Sequence, residues 1–384
     1  MEAIIKKLVL FVFIDAFGWE IYQQYGFLSD KLPYSKKLKT VFGFSSAADP
    51  SILTGRYPDE HTHWSCFIYS DRSPFKKFRF FAKLPQSIFN RWRFRHMLSR
   101  FIKLMYRYTG YFELYSVPFD VMQYFDYLEK RDYFVPNGIL KTDTIFDWCV
   151  ENKVSYFCSN WRKNETEILK ANRFQIAQGA IEFTYLYLPN LDSVMHKYGP
   201  SGPEVENKIR WLEKQVLDTW NLAERVYDEV SLYVISDHGM APVSHSVDVI
   251  SKVESTNLQY GKDYIAFYDS TMARFWFKNR IAEEKIIHVL NSVGEGKIVT
   301  EAELREMHVY FDDHRFGELI FLMDEGVLIN PSYMGIQTIP GMHGYHPDQK
   351  HSYAIITGNK EIPENIQSIT DIRKVMESEL KYGK

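Results

Sequence analysis

Apolar positions along this chain run in two rhythms, and the switches between them lay out the elements. Residues 4–14 close on the unbroken apolar stretch LVLFVFI, which predicts a strand covered on both faces. EFTYLYLP at 182–189, SLYVISD at 231–237 and SYAIITG at 352–358 predict further buried strands. VSYFCS at 154–159 follows the short helical stretch TIFDWCVEN. From Pro203 to Val230 the rhythm becomes helical, with Ile209, Leu212, Val216, Trp220 and Ala223 on one stripe and Pro203 suited to a helix start. Strands alternating with helices predict a mostly parallel sheet, whose sites form beyond the carboxyl ends of its strands. Within 255–330 the stretches DYIAFYDSTMARFWF, IIHVLNSVG and GELIFLMDEGVLI read as strands, a helix and a hairpin decorating that sheet.

Composition changes this picture only at its edges. A chain of 384 residues can bury a large core without staples, and its 45% hydrophobic and 25% charged content is that of a globular protein. Cys66, Cys149 and Cys158 are an odd number with no CxxC pair, which argues against a disulfide framework and fits a reducing compartment. The apolar run near the start ends at Asp15 without a clean cleavage site, so it is read as a strand and the expected location is cytoplasmic. No apolar stretch approaches the ~20 residues of a membrane span.

Candidate chemistry collects at strand ends and in loops. Asp15 ends the first strand; Asp237 and His238 follow the 231–237 run; His343 stands in the glycine-flanked GMHGYH. Asp192 and His196 lie four apart, so a helical turn aims both at one point. Each alone is ordinary, an acid after a strand being more often a helix cap. Together, three aspartates and three histidines suit two borderline cations such as Zn²⁺. Such ions would also activate a serine hydroxyl, and GFSSAADPSILTG at 43–55 offers Ser45 and Ser46. No GxxxxGK[ST] loop is present, which excludes a Walker-type triphosphatase.

The order FIDAFG, SSAADPSILTGRYPDEH, LDSVMHKYGP, SDHGM, MHGYH resembles the alkaline phosphatase superfamily, and within it the type I phosphodiesterase/nucleotide pyrophosphatase family. That resemblance implies a three-layer α/β/α sandwich around a central, mostly parallel sheet. It implies a nucleophile ten residues before the glycine of the TG turn, here Ser45. It implies one metal among Asp15, Ser45, Asp237 and His238 and a second among Asp192, His196 and His343, usually zinc, with manganese the alternative. The implied activity is hydrolysis of phosphodiester or pyrophosphate bonds in a nucleotide, sugar-nucleotide or lipid head group. The alternatives are a phosphomonoesterase or a phosphoethanolamine-type transferase of the same superfamily, and a metal-stabilised binding protein. The family's YPxxHG motif departs here, with Thr62 in place of the glycine and Cys66 where an asparagine contacts the phosphoryl group. His61 and Cys66 are the candidate substrate-binding residues. The sulfatase pattern, with proline and arginine beside the nucleophile, is absent around Ser45.

One charge asymmetry remains. From Arg72 to Arg107 the chain carries eleven Arg or Lys and no Asp or Glu, so the rest must hold a charge of −14 to reach the net −3. The single domain over 1–384 is therefore expected to carry a helical basic-aromatic insertion at 66–135 as a cap and a decorating α/β segment at 255–330. NRWRFRHMLSRFIKLMYRY within it predicts a helix with an apolar stripe of Phe94, Met97, Leu98, Phe101, Leu104, Met105 and Tyr108. Arg91, Arg95, Lys103 and Arg107 fall on one ridge. A structural cap, a platform for phosphate-rich substrate, and contact of 72–107 with an anionic membrane or polyanion are the competing readings, without a specific nucleic-acid motif.

Overall fold

The computed structural model of the protein describes residues 6–381, with Gln86 described in its backbone alone. In chain order the strands of the two main sheets are β1 (Lys7–Ile14), β2 (Tyr34–Leu38), β3 (Tyr156–Cys158), β4 (Phe183–Leu188), β5 (Glu229–Ile235), β6 (Tyr264–Tyr268), β7 (Met272–Phe277), β8 (Gly296–Val299), β9 (Leu319–Met323) and β10 (Ala354–Gly358). The helices that matter here are α1 (Ser45–Thr54), α2 (Trp92–Tyr106), α3 (Asn190–Tyr198) and α4 (Pro203–Glu224). Residues 4 and 5 of the first expected strand lie outside the described residues.

The central sheet has the order β2-β10-β5-β1-β4-β3. β3, β4, β1 and β5 pair in parallel, and β10 runs antiparallel to both β5 and β2. β1 explains the layering. Its odd residues Val9, Phe11 and Phe13 pack with Ala47, Ile52 and Leu53 of α1. Its even residues Leu8, Leu10, Val12 and Ile14 pack with Ile209, Leu212 and Val216 of α4. Side chains alternate across a strand, so a strand buried on both faces must be apolar throughout, and the result is a three-layer α/β/α sandwich.

A second core lies beside this one. Phe75, Leu98, Ile102, Phe112, Leu114 and Tyr127 from the insertion share it with Phe267, Phe275, Trp276 and Phe321 of an antiparallel sheet ordered β6-β7-β9-β8. Strand Phe67–Tyr69 pairs with Phe125–Tyr127 and so closes the ends of the insertion on each other. Arg274 of β7, wholly buried, donates through Nε to Asp269 Oδ2 (2.9 Å) and through Nη1 to the Phe67 carbonyl (2.9 Å), which ties the insertion to the sheet.

Three expectations need correction. α4 ends at Glu224 because the chain must reverse into β5 at Glu229, so the helical rhythm does not extend to Val230. GELIFLMDEGVLI is not a hairpin: β9 pairs with β7 and β8, while Val327–Ile329 pairs in parallel with His245–Val247. The hairpin is β6–β7. The apolar stripe of α2 is misassigned as well. Its buried face is Arg95, Leu98, Ser99 and Ile102, and Met97, Phe101, Leu104 and Met105 face outward. Polar groups sit on the packed side because they find partners there. Ser99 Oγ donates to Glu113 Oε1 (2.6 Å) and Arg95 Nη1 to the Val117 carbonyl (2.6 Å).

Candidate active site

Parallel strands deliver their carboxyl ends to one edge, and the sequence places its acids there. Asp15 follows β1 directly, and Asp237 and His238 follow β5, the strand hydrogen-bonded beside it. The turns after these two strands touch. A Cβ on Gly18 would lie 2.3 Å from Gly239 Cα, so both motif glycines permit backbone contact rather than chemistry. Asp237 Oδ1 accepts from the amides of Ala16 (3.2 Å) and His238 (3.0 Å), which fixes the carboxylate and leaves Oδ2 3.0 Å from His238 Nε2. Asp15 Oδ1 lies 3.9 Å from the same nitrogen.

α3 carries Asp192 and His196 one turn apart, with His196 Nε2 3.2 Å from Asp192 Oδ1. His343 Nε2 is 3.6 Å from that oxygen, and the His343 ring stacks on His238 at a centroid distance of 3.8 Å. The loop bearing His343 is held by pairing of Gly341–Met342 with Ala241–Pro242, just downstream of His238. Two groups result, Asp15/Asp237/His238 and Asp192/His196/His343, each with ligand atoms within 4.8 Å of one another.

Several features of this arrangement fit divalent cations. His196 Nδ1 donates to the Gly341 carbonyl (2.9 Å) and His238 Nδ1 to the Gly239 carbonyl (3.0 Å), so both rings present Nε2 to the centre. Asp15 Oδ1, Asp192 Oδ1 and Asp237 Oδ2 are buried without a hydrogen-bond partner. Burial, with repulsion from Asp237, Asp192 and Asp49, pushes the Asp15 carboxyl far above its usual range. Burial, with the neighbouring imidazoles of His238 and His196, holds His343 well below its ordinary value. His196 and His238 are instead raised, the lowering by burial being outweighed by the Asp192 and Asp237 carboxylates beside them. A buried set of carboxylates that draws on its own imidazoles for countercharge is what a cation of this class relieves.

The serine question has a geometric answer. Ser45 opens α1, and its Oγ lies 3.3 Å from His238 Nε2. Ser46 Oγ instead donates to the Trp64 carbonyl (3.1 Å). The first amides of a helix lack intrahelical partners, so α1 directs positive potential at Ser45. A cavity of about 710 Å³ opens over Ser45, walled by Glu129, Tyr111, Tyr115, Phe134, Trp161 and Arg162 among others.

Cys66 is in that wall, but its Sγ donates to Glu129 Oε1 (3.1 Å). His61 is not. It is fully buried, its Nε2 is bound to Ser51 Oγ (2.9 Å) and its Nδ1 accepts from the His63 amide (3.1 Å), which is structural work at the back of α1. The assignment of His61 to substrate is thereby corrected. Three residues at the site carried no expectation. Tyr187 donates its hydroxyl to Asp15 Oδ2 (3.3 Å). Asp49, one turn along α1 from Ser45, has its carboxyl raised by burial and by Asp237. Glu129, buried beside Cys66, is pushed up to about 7 by burial. Asp49 was legible as an i,i+4 partner of Ser45; Glu129 and Tyr187 had no such signal.

Comparison with known proteins bears on the fold and the family. Murine ectonucleotide pyrophosphatase/phosphodiesterase 5 superposes with a TM-score of 0.68 at 16% identity, covering 97% of this chain and 95% of that one. The human form of the same protein gives 0.68 at 14% identity over 97% and 95%. An inactive murine form in complex with AMP gives 0.69 at 15% identity over 98% and 95%. Among curated proteins, mouse ectonucleotide pyrophosphatase/phosphodiesterase family member 7 is 23% identical over 193 residues, which span 49% of this chain and 43% of that protein. The chain thus aligns with less than half the length of that relative. Residues 108–346 match the family described as type I phosphodiesterase / nucleotide pyrophosphatase, a stretch that holds Asp192, His196, Asp237, His238 and His343. On these grounds the chain belongs to the type I phosphodiesterase / nucleotide pyrophosphatase family, within the alkaline phosphatase superfamily.

Proposed function

We propose that this protein hydrolyses phosphodiester or pyrophosphate bonds through a phosphoryl intermediate on Ser45. The observation that carries this reading is the placement of Ser45 Oγ at the floor of the cavity, beside the two three-residue groups and 3.3 Å from His238 Nε2. Two divalent cations, zinc by the donor set, would be held by Asp15, Asp237 and His238 with Ser45 and by Asp192, His196 and His343; when bound they supply ionisation of the nucleophile and neutralisation of phosphoryl charge. Ser45 Oγ attacks phosphorus, and the bond to the leaving oxygen breaks with its electron pair. Water then cleaves the Ser45 O–P bond and restores the hydroxyl. The N-terminus of α1 stabilises negative charge at the seryl oxygen. Tyr111, Tyr115 and Trp161 offer flat apolar surface to the group esterified to phosphate, and the AMP complex of the murine protein supports a nucleotide there. Cys66, turned toward Glu129, leaves the phosphoryl contact of the usual asparagine to another group.

Ser45→Ala should lower turnover of bis-p-nitrophenyl phosphate by at least ~10³-fold. Elemental analysis of the same variant should still find about two cations per chain. Wild-type rates in the variant would refute the nucleophile. Loss of metal together with activity would leave Ser45 a structural ligand instead.

A further inference from the structure

The outward face of α2 has the wrong chemistry for a surface meant only for water. Leu104 is 79% exposed, Trp92 73%, Met97 62% and Phe101 56%. Met97, Phe101 and Leu104 recur at helical spacing opposite the buried Leu98 and Ile102, so they form a continuous ridge. Phe80 and Ile88, in the segment just before the helix, are also more than half exposed. Exposed arginines flank the ridge at 93 and 100, with Arg79, Lys83 and Arg91 nearby. No carboxylate occurs anywhere from 72 to 107.

We infer that this face docks the protein on an anionic lipid bilayer. The side chains protrude rather than line a groove, which suits insertion among head groups better than a pocketed protein partner. A second copy of the chain would set like charge against like charge, whereas an anionic surface complements it. Another face of α2 touches the wall of the cavity. Lys103 of α2 lies over the Trp161 ring at 5.6 Å and donates to the Gly110 carbonyl (2.7 Å), and both Trp161 and the adjacent Tyr111 wall the cavity. Docking therefore holds that wall within about one helix diameter, ~10 Å, of the lipid surface, and a phosphate ester in a head group is then the candidate substrate. The docking stands on the surface alone; only the last consequence rests on the hydrolase reading.

Cosedimentation of the full chain with phosphatidylcholine vesicles, with and without phosphatidylserine, tests the proposal. Binding is expected to the anionic vesicles, to weaken as salt is raised, and to be slight on neutral ones. Phe101→Ser with Leu104→Ser, and separately Arg93→Gln with Arg100→Gln, should each weaken it on the order of tenfold or more. Turnover of soluble bis-p-nitrophenyl phosphate should be unchanged in both variants, which keeps this result apart from the catalytic reading. Failure of the wild type to sediment, equal binding to neutral vesicles, or unaltered binding by both variants would overturn it. So would a concentration-dependent dimer that Phe101→Ser with Leu104→Ser abolishes, since the face would then serve a second copy.

Discussion

At Glu129 a carboxyl is buried between Cys66 and a wall of tyrosines, with Asp49 on α1 facing the same space. Burial pushes its pKa up to about 7, and Tyr111, Tyr115, Tyr127 and Tyr133 feel its charge. The sign of the linkage follows. The folded chain keeps a proton that the unfolded chain has already lost, so stability falls as pH rises from the ordinary carboxyl range through 7. Above that range the cost reaches about 3 kcal/mol at most. Glu129→Gln removes the ionisation, so urea midpoints should show the variant gaining on the wild type by ~2–3 kcal/mol between pH 5 and pH 8. An identical difference at both pH values would mean that the carboxyl is not desolvated. Ser45 and Ser46 are the second lesson at this scale. Adjacent in sequence and alike in chemistry, they differ only in what each hydroxyl faces, His238 or the Trp64 carbonyl.

Among the elements, β7 carries the clearest energetic commitment. Arg274 is wholly buried, and its guanidinium compensates Asp269, whose carboxyl is raised by burial even so. Replacing one partner of a buried pair leaves the other charge unsolvated. Arg274→Met should therefore cost ~3–5 kcal/mol, read as a lowered denaturation midpoint, and Asp269→Asn in the same chain should recover part of it. Because Arg274 also holds the Phe67 carbonyl and Asp269 lines the cavity, the single variant should loosen the wall formed by the insertion. Limited proteolysis between residues 70 and 110 reads that loosening; an intact insertion with unchanged stability would show the pair to be dispensable. α2 teaches the complementary point. Its sequence has apolar residues all round, so periodicity alone could not say which were core, and the partners Glu113 and Val117 decided it.

For the molecule as a whole, the cluster of buried carboxylates sets how much a bound cation would add to stability. Asp15, Asp49 and Asp237 are buried near one another, and the first two are raised by that repulsion as well as by burial. Cations bound to the native state alone stabilise it by about 4 kcal/mol per site at a thousandfold excess over Kd. Chelator should thus lower the melting temperature by roughly 5 °C or more, and added Zn²⁺ should restore it. A melt insensitive to chelator would show that the charges are relieved by protonation instead. The same scale governs the net charge, since the basic 72–107 segment is balanced by acids elsewhere and gives the molecule one positively charged, apolar-studded end.

By itself the sequence determined the central sheet, because a strand covered on both faces must be largely apolar, and β1, β4 and β5 are, with Thr184 and Ser231 as buried polar exceptions. It also pointed to the two candidate ligand groups that the fold brings together. Acids ending buried strands can reach only one edge of a parallel sheet, and Asp192 and His196 share a helical turn. Only the tertiary structure decided the role of Glu129, Tyr187 and His61, since burial and partner are set by segments tens to hundreds of residues away. It alone joined the insertion to the β6–β9 sheet in one core and turned Phe101 and Leu104 outward. Local rhythm records that a residue is apolar; which surface covers it is a property of chains meeting in space.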